Sequence, residues 1–134
     1  MADNYLKNYN WILLVDDDMI SNFVTYSLLR SLDSSVKIDV VYNGVEAIDF
    51  IKLNDNGPGL IMVDINMPIM DGFKFVENLL KTFPDRKIEI IFLSTSLHCK
   101  DLDMIDFYNA KFINKPITKV KLLATNNWSK LING

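Results

Sequence analysis

The chain has 134 residues, enough for one domain with a real core and too few for two. Hydrophobic residues make up 49% and charged residues 23%, and the formal net charge is −3, so the composition is that of an ordinary globular domain without the basic footprint of a nucleic-acid binder. The lysines are scattered, with a loose cluster at Lys111, Lys115, Lys119 and Lys121. A lone cysteine, Cys99, excludes an internal disulfide framework and fits a reducing compartment. Neither a secretory h-region nor an apolar run of membrane-spanning length is present, so a cytoplasmic location with no membrane partner is expected.

In chain order, residues 1–10 read as a polar N-terminal segment. "WILLVD" (11–16) reads as a buried strand that runs into three consecutive aspartates. From Met19 to Leu32, apolar residues at Ile20, Phe23, Val24, Leu28 and Leu32 follow helical spacing. "VKIDVVY" (36–42) alternates like a strand, and Asn43-Gly44 punctuates before a helix over 45–52. After the loop "NDNGPG", "LIMVD" (60–64) is a second fully apolar strand ending in an aspartate. "INMPIMDG" leads into a helix over 73–82, and "IEIIFLS" (88–94) is another buried strand. A short helix over 101–108, a short strand "KFIN" (111–114) and a closing helix over 118–132 complete the chain.

Five strands alternating with five helices predict a doubly wound parallel sheet covered on both faces, with right-handed crossovers. In such sheets the functional crevice lies beyond the carboxyl ends of the strands. That rule gathers Asp16, Asp17, Asp64, Ser94 and Lys115 at one end of the molecule. Three carboxylates crowded together call for a cation, and hard oxygen donors suit Mg²⁺. A hydroxyl and an ammonium beside them suit the oxygens of a phosphoryl group. The combination reads as a phosphoryl-transfer site with an aspartate nucleophile.

"LLVDD", "VDINMPIMDG", "FLS" and "INKP", in this order and spacing, resemble the receiver domain of two-component response regulators, in the chemotaxis-receiver-like single-domain form. The resemblance covers residues 11 to about 132. It implies a flavodoxin-like sheet of strand order 2-1-3-4-5 and assigns roles residue by residue. Asp64 is the phosphoacceptor, taking a phosphoryl group from a phosphohistidine on a sensor histidine kinase or histidine phosphotransfer protein. Asp17 ligates Mg²⁺ directly, Asp16 directly or through water, and the backbone carbonyl of Asn66 is the third protein ligand. Ser94 is the switch hydroxyl, Lys115 contacts the phosphoryl group, and Phe112 is the switch aromatic. The Lys115–Pro116 peptide is expected to be cis. Asn109 stands where the family often has Gly-Ala, and the segment to Lys115 is one residue shorter.

Residues 11–134 are thus read as a receiver with no output domain, a stand-alone response regulator. It catalyses only its own phosphorylation and dephosphorylation and signals to a protein target through the fourth helix, fifth strand and fifth helix. Passing the phosphoryl group on to a histidine phosphotransfer protein is the alternative. A haloacid-dehalogenase-like phosphatase is a poorer fit, because it wants a second acid where Asn66 stands and a cap domain for which there is no room. A dinucleotide site would need glycines after the first strand, where this chain has only aspartates.

Other residues have plainer readings. Asp18 is expected to cap the first helix. Met62, Met67 and Met70 read as packing rather than a soft-metal site. Phe107, Tyr108 and Phe112 read as core and partner-face aromatics rather than a platform for bases. His98 reads as a loop residue, Cys99 as incidental and Trp128 as packed or at an interface. Trp11 is expected to report Mg²⁺ binding through its fluorescence.

Overall fold

The structure is a computed structural model that describes residue 6, residues 8–54 and residues 57–125. Strands and helices alternate throughout: β1 (Trp11–Val15), α1 (Met19–Leu32), β2 (Lys37–Val41), α2 (Gly44–Leu53), β3 (Gly59–Asp64), α3 (Gly72–Thr82), β4 (Ile88–Ser94), α4 (Cys99–Phe107), β5 (Lys111–Asn114) and α5 (Lys119–Thr125). All four strand pairings are parallel, and the sheet order is β2-β1-β3-β4-β5. The flavodoxin-like expectation holds.

Side chains alternate along each strand, so the sheet divides the core in two. Ile12, Leu14, Leu60, Met62, Ile91 and Leu93 pack with Leu29 and Leu32 of α1 and Leu122 of α5. Leu13, Val15, Ile61, Val63, Ile90 and Phe92 pack with Ala47 and Ile51 of α2, Phe75, Val76 and Leu79 of α3, and Ile105 of α4. β1 and β3 are buried along their whole length, which is why they read as unbroken apolar runs.

Element ends are set by caps. Asp18 accepts from Ile20 and Ser21 N–H, Asn43 from Glu46 N–H and Asp71 from Lys74 N–H. The Asn43 cap starts α2 one residue earlier than predicted, at Gly44. α4 begins at Cys99 rather than residue 101, where Asp101 Oδ2 accepts from the His98 N–H. The continuation of the last helix to Ile132, with Trp128, lies outside the described residues.

Two expectations are corrected. The apolar residues chosen for α1 are mostly not its buried face: Ile20 is 74% and Phe23 69% exposed, and Asn22, Thr25, Leu29 and Leu32 face inward. Asn22 and Thr25 are tolerated there because each bonds to backbone, Asn22 Nδ2 to the Asp16 carbonyl at 2.8 Å and Thr25 Oγ1 to the Ser21 carbonyl at 3.0 Å. The N-terminal segment is also not merely polar. Leu6 is fully buried against the α1/α5 side of the sheet, and Tyr9 packs there with its hydroxyl donating to Glu89.

The β3–α3 loop is tightly drawn. A Cβ on Gly72 would lie 2.6 Å from the carbonyl oxygen of Asp64, and the Gly72 N–H bonds to the Ile65 carbonyl at 2.9 Å. Four residues past Ile65, Ile69 is held at φ 71° and is fully exposed, a strained conformation for a β-branched residue. Asn109, at φ 52°, takes the left-handed turn that asparagine tolerates.

Opposite effects are expected from two substitutions in this loop. Gly72→Ala should lower unfolding stability by about 1–3 kcal/mol through backbone displacement. Ile69→Gly should raise it by about 0.5–1 kcal/mol, since relief of left-handed strain outweighs the added freedom of the unfolded chain. Urea titration of both variants measures this, and a destabilised Ile69→Gly would contradict the strain argument.

Candidate functional site

Strand register assembles the site. Val15 pairs with Val63 and Asp64 with Leu93, while Ser94 pairs with Asn114. Asp16 and Asp64 therefore stand level, with Ser94 one residue and Lys115 two residues further along the strand direction. One carboxylate oxygen from each of Asp16, Asp17 and Asp64 can be chosen so that all lie within 4.8 Å of one another.

Asp16 is buried and held on every side. Its N–H donates to the Val41 carbonyl at 3.3 Å, and its own carbonyl accepts from Asn22. Oδ1 accepts from the Asp18 N–H at 3.0 Å and Oδ2 from Lys115 Nζ at 2.7 Å. Asp17 is exposed at the rim. Asp64 is only 7% exposed; its Oδ1 accepts from the Asn66 N–H at 3.3 Å, and its Oδ2 lies 3.6 Å from Lys115 Nζ. The Lys115 N–H donates to the Ser94 carbonyl at 2.8 Å, tying the lysine loop to β4, and the Lys115–Pro116 peptide is cis.

Burial is the main reason that the Asp64 carboxyl is pushed up to about 6, and the charge of Asp16 adds to it. Lys115 and the Asn66 N–H pull the other way, and Asp17 pushes up a little. Lys115 alone among the described ion pairs brings a cation to this crevice. Three crowded carboxylates against one ammonium leave a deficit of positive charge that a small divalent cation fits, and the donors are all hard oxygens.

Ser94 is fully buried at the end of β4, and its hydroxyl turns to the following loop and to Asn66. Thr95 is exposed, so position favours Ser94 as the hydroxyl of the crevice. Phe112 pairs with Phe92 across β4 and β5 and is partly buried against the α2–α4 core.

The remaining candidates lie apart. Asp18 caps α1. Met62 packs on one side of the sheet and Met67 and Met70 on the other, so the three cannot share a metal. Cys99 is free and exposed, and Phe107 makes an edge contact with Tyr108 with ring centroids 5.1 Å apart. Trp11 sits at the opposite end of β1, under Gly59, with Nε1 donating to the Gly57 carbonyl. Five strand residues place it about 16 Å from Asp16, so it is a poor reporter of the site. Sequence reasoning missed the side chains of Asn22 and Asn66. The available signal for Asn22 was a polar residue at the helical spacing of Thr25, Leu29 and Leu32.

The chain is similar to known proteins over most of its length. The family model described as "Response regulator receiver domain" matches residues 12–127. A protein-glutamate methylesterase/protein-glutamine glutaminase of Methanococcoides burtonii is 33% identical over 131 residues, covering 86% of this chain and 36% of that protein. Two-component response regulator 24 of Arabidopsis thaliana is 31% identical over 115 residues, covering 84% of this chain and 78% of its own length. The chain thus spans little more than a third of the methylesterase relative but most of the plant regulator. The crystal structure of a two-component response regulator from Cytophaga hutchinsonii is 28% identical with a TM-score of 0.76, covering 95% of this chain and 99% of that one. Nearly the whole sheet, from β1 to α5, falls inside the matched span, and the chain belongs to the response regulator receiver domain family of two-component systems.

Proposed function

We propose that this chain is a phosphorylation-driven switch whose phosphoacceptor is Asp64. The observation that carries the reading is the Asp64 carboxylate itself, nearly buried, crowded by Asp16 and Asp17, and within 3.6 Å of Lys115. In the step proposed, an Asp64 carboxylate oxygen attacks phosphorus, the P–N bond of a partner's phosphohistidine breaks, and the imidazole leaves with the bond's electron pair. Asp17, Asp16, Asp64 and the Asn66 carbonyl would hold Mg²⁺, which supplies charge neutralisation for the phosphoryl oxygens. Lys115, already beside Asp64, offers its ammonium to one phosphoryl oxygen, and Ser94 offers its hydroxyl to another. Chemistry is confined to the chain's own phosphorylation and loss of phosphate, so it is not an enzyme toward other substrates.

The phosphodonor is a histidine kinase or a histidine phosphotransfer protein. Its docking face is the outward side of α1, where Met19, Ile20, Phe23 and Val24 leave apolar surface uncovered. Ile20 and Val24 also line, with Lys115, Pro116 and Ile117, a cleft of about 200 Å³ next to the crevice. A partner seated there would meet the crevice on the side of Lys115. Phosphorylation adds roughly −1.5 to −2 charges. Drawing Ser94 toward that charge makes room for Phe112 and reshapes the α4–β5–α5 face for a downstream protein. Among the described residues no helix is long and apolar enough to cross a membrane. We place the protein in the cytoplasm, where such donors and Mg²⁺ are available.

Asp64→Asn should abolish acid-labile, Mg²⁺-dependent phosphorylation by a small phosphodonor, read by intact mass; phosphate retained on this variant would move the nucleophile elsewhere. The same substitution should affect stability in a pH-dependent way. The folded carboxyl titrates at about 6 against an ordinary 3.8, so the native state binds the proton more tightly and loses stability as pH rises through that window. At pH 7.5 without Mg²⁺, Asp64→Asn should therefore be more stable than the parent by about 1–2 kcal/mol, and the gain should vanish below pH 4. Equal gains at both pH values in urea titrations would show that charge is not the cause.

Asp17→Ala should weaken Mg²⁺ binding, followed by calorimetry, more than Asp18→Ala, whose main effect should be about 1 kcal/mol of stability from the lost cap. Phe23→Asp should slow phosphotransfer from a phosphohistidine donor at least about tenfold, the effect of losing one well-packed apolar contact. Its reaction with the small phosphodonor should stay within about twofold, because that donor needs no docking face. Parallel slowing of both reactions would remove α1 as the docking face.

A further inference from the structure

The Ser94 hydroxyl has no free capacity. A serine hydroxyl offers one hydrogen and two lone pairs. The hydrogen goes to the Ser96 carbonyl at 2.5 Å, and the lone pairs accept from the Ser96 N–H at 3.1 Å and from Asn66 Nδ2 at 3.2 Å. Ser94 itself is fully buried, and its partners Ser96 and Asn66 are exposed. Two of the bonds belong to the loop that leaves β4 and are local in sequence. The third is different. Asn66 comes from β3's exit loop, and its own N–H donates to Asp64 Oδ1 at 3.3 Å. One residue therefore grips the acceptor carboxylate with its backbone and the buried hydroxyl with its side chain.

We infer that the Asn66 side chain is a positioning group that holds the Ser94 hydroxyl turned away from Asp64, and so sets how readily phosphorylation trips the switch. The inference rests on the reading of Asp64 as phosphoacceptor and Ser94 as switch. A hydroxyl that must donate to a phosphoryl oxygen has to release the Ser96 carbonyl, and a χ1 rotation that carries Oγ toward Asp64 would break the Asn66 bond as well. The amide thus stabilises the unswitched arrangement and contributes nothing to a switched one in which that bond is broken. Only such a difference between states can bias an equilibrium. Asn66 is exposed, so truncating it removes the donor with little disturbance to packing and keeps the backbone N–H and carbonyl in place.

The test is a double-mutant cycle between Asn66→Ala and Ser94→Ala. Beryllofluoride with Mg²⁺ serves as the acyl-phosphate mimic, and backbone amide shifts of Ser96, Phe112 and Lys119 to Leu123 are the readout. Asn66→Ala should tighten apparent beryllofluoride affinity about three- to tenfold, the weight of one neutral hydrogen bond removed from the competing state. In the Ser94→Ala background, where there is no hydroxyl to hold, the same truncation should change affinity less than about twofold. Equal effects in the two backgrounds, or none in either, overturn the inference. A metal-free arm separates its failure from failure of the phosphoacceptor reading. Without any ligand, the Ser96 amide, bonded to Ser94 Oγ, should exchange about three- to tenfold faster in Asn66→Ala than in the parent. If beryllofluoride leaves the parent spectrum unchanged, the phosphoacceptor reading fails, and the exchange rate alone then decides whether Asn66 holds the hydroxyl.

Discussion

Repulsion among three carboxylates governs this molecule. Asp16, Asp17 and Asp64 are held with oxygens within 4.8 Å of one another, and two of the three are buried. Left to themselves such groups would separate or take up protons, and Asp64 goes part of the way: burial first, and then the charge of Asp16, raise its carboxyl to about 6. Lys115 prevents the rest. Its ammonium lies 2.7 Å from Asp16 and 3.6 Å from Asp64, so one cation serves two anions and leaves the crevice short of positive charge. That deficit is the physical basis of the proposed site. It favours a divalent cation, and it puts an electron-rich carboxylate where a phosphorus centre can reach it. The same crowding opposes stability, so the function proposed here is carried at the expense of the fold.

The fold can impose this arrangement because the sheet is stiff and its register is fixed on both faces. β1 and β3 are buried throughout, so a slip of one residue would carry every core side chain to the wrong layer. Asp16 and Asp64 therefore stay level whatever their mutual repulsion. Local devices reinforce the strand ends. The Asn22 amide and the Asp18 N–H hold Asp16 in place, and Gly72 lets α3 begin against the carbonyl of Asp64. Ile69 and its left-handed backbone show the tightness of the turn that follows.

α1 buries Leu29 and Leu32 in the core, while its first turns divide differently. Its inward face carries Asn22 and Thr25, and its outward face near the crevice carries Met19, Ile20, Phe23 and Val24. A helix that served only its own core would place the apolar stripe inward. Each side has its own partner: Asn22 bonds to the Asp16 carbonyl, and Ile20 and Val24 line the cleft beside Lys115.

The parallel doubly wound fold was legible in the sequence because fully buried strands read as apolar runs and each ended in a residue with distinct chemistry. The gathering of Asp16, Asp17, Asp64, Ser94 and Lys115 followed from the rule that such sheets work at their carboxyl ends. The cap at Asp18 was legible because it depends only on neighbours in the chain. Tertiary structure decided what depends on distant partners. Periodicity marks apolar residues on α1 but does not say which of them the core takes: Leu28 and Leu32 pack on it, whereas Ile20 and Phe23 face outward and Asn22 takes the core side through a bond to the Asp16 carbonyl. Leu6 gained a place in the core from the sheet surface beneath it, which nothing in its polar surroundings announced. The Asn66 bond to Ser94 joins residues 28 apart in sequence, and it exists only because β3 and β4 lie side by side in register.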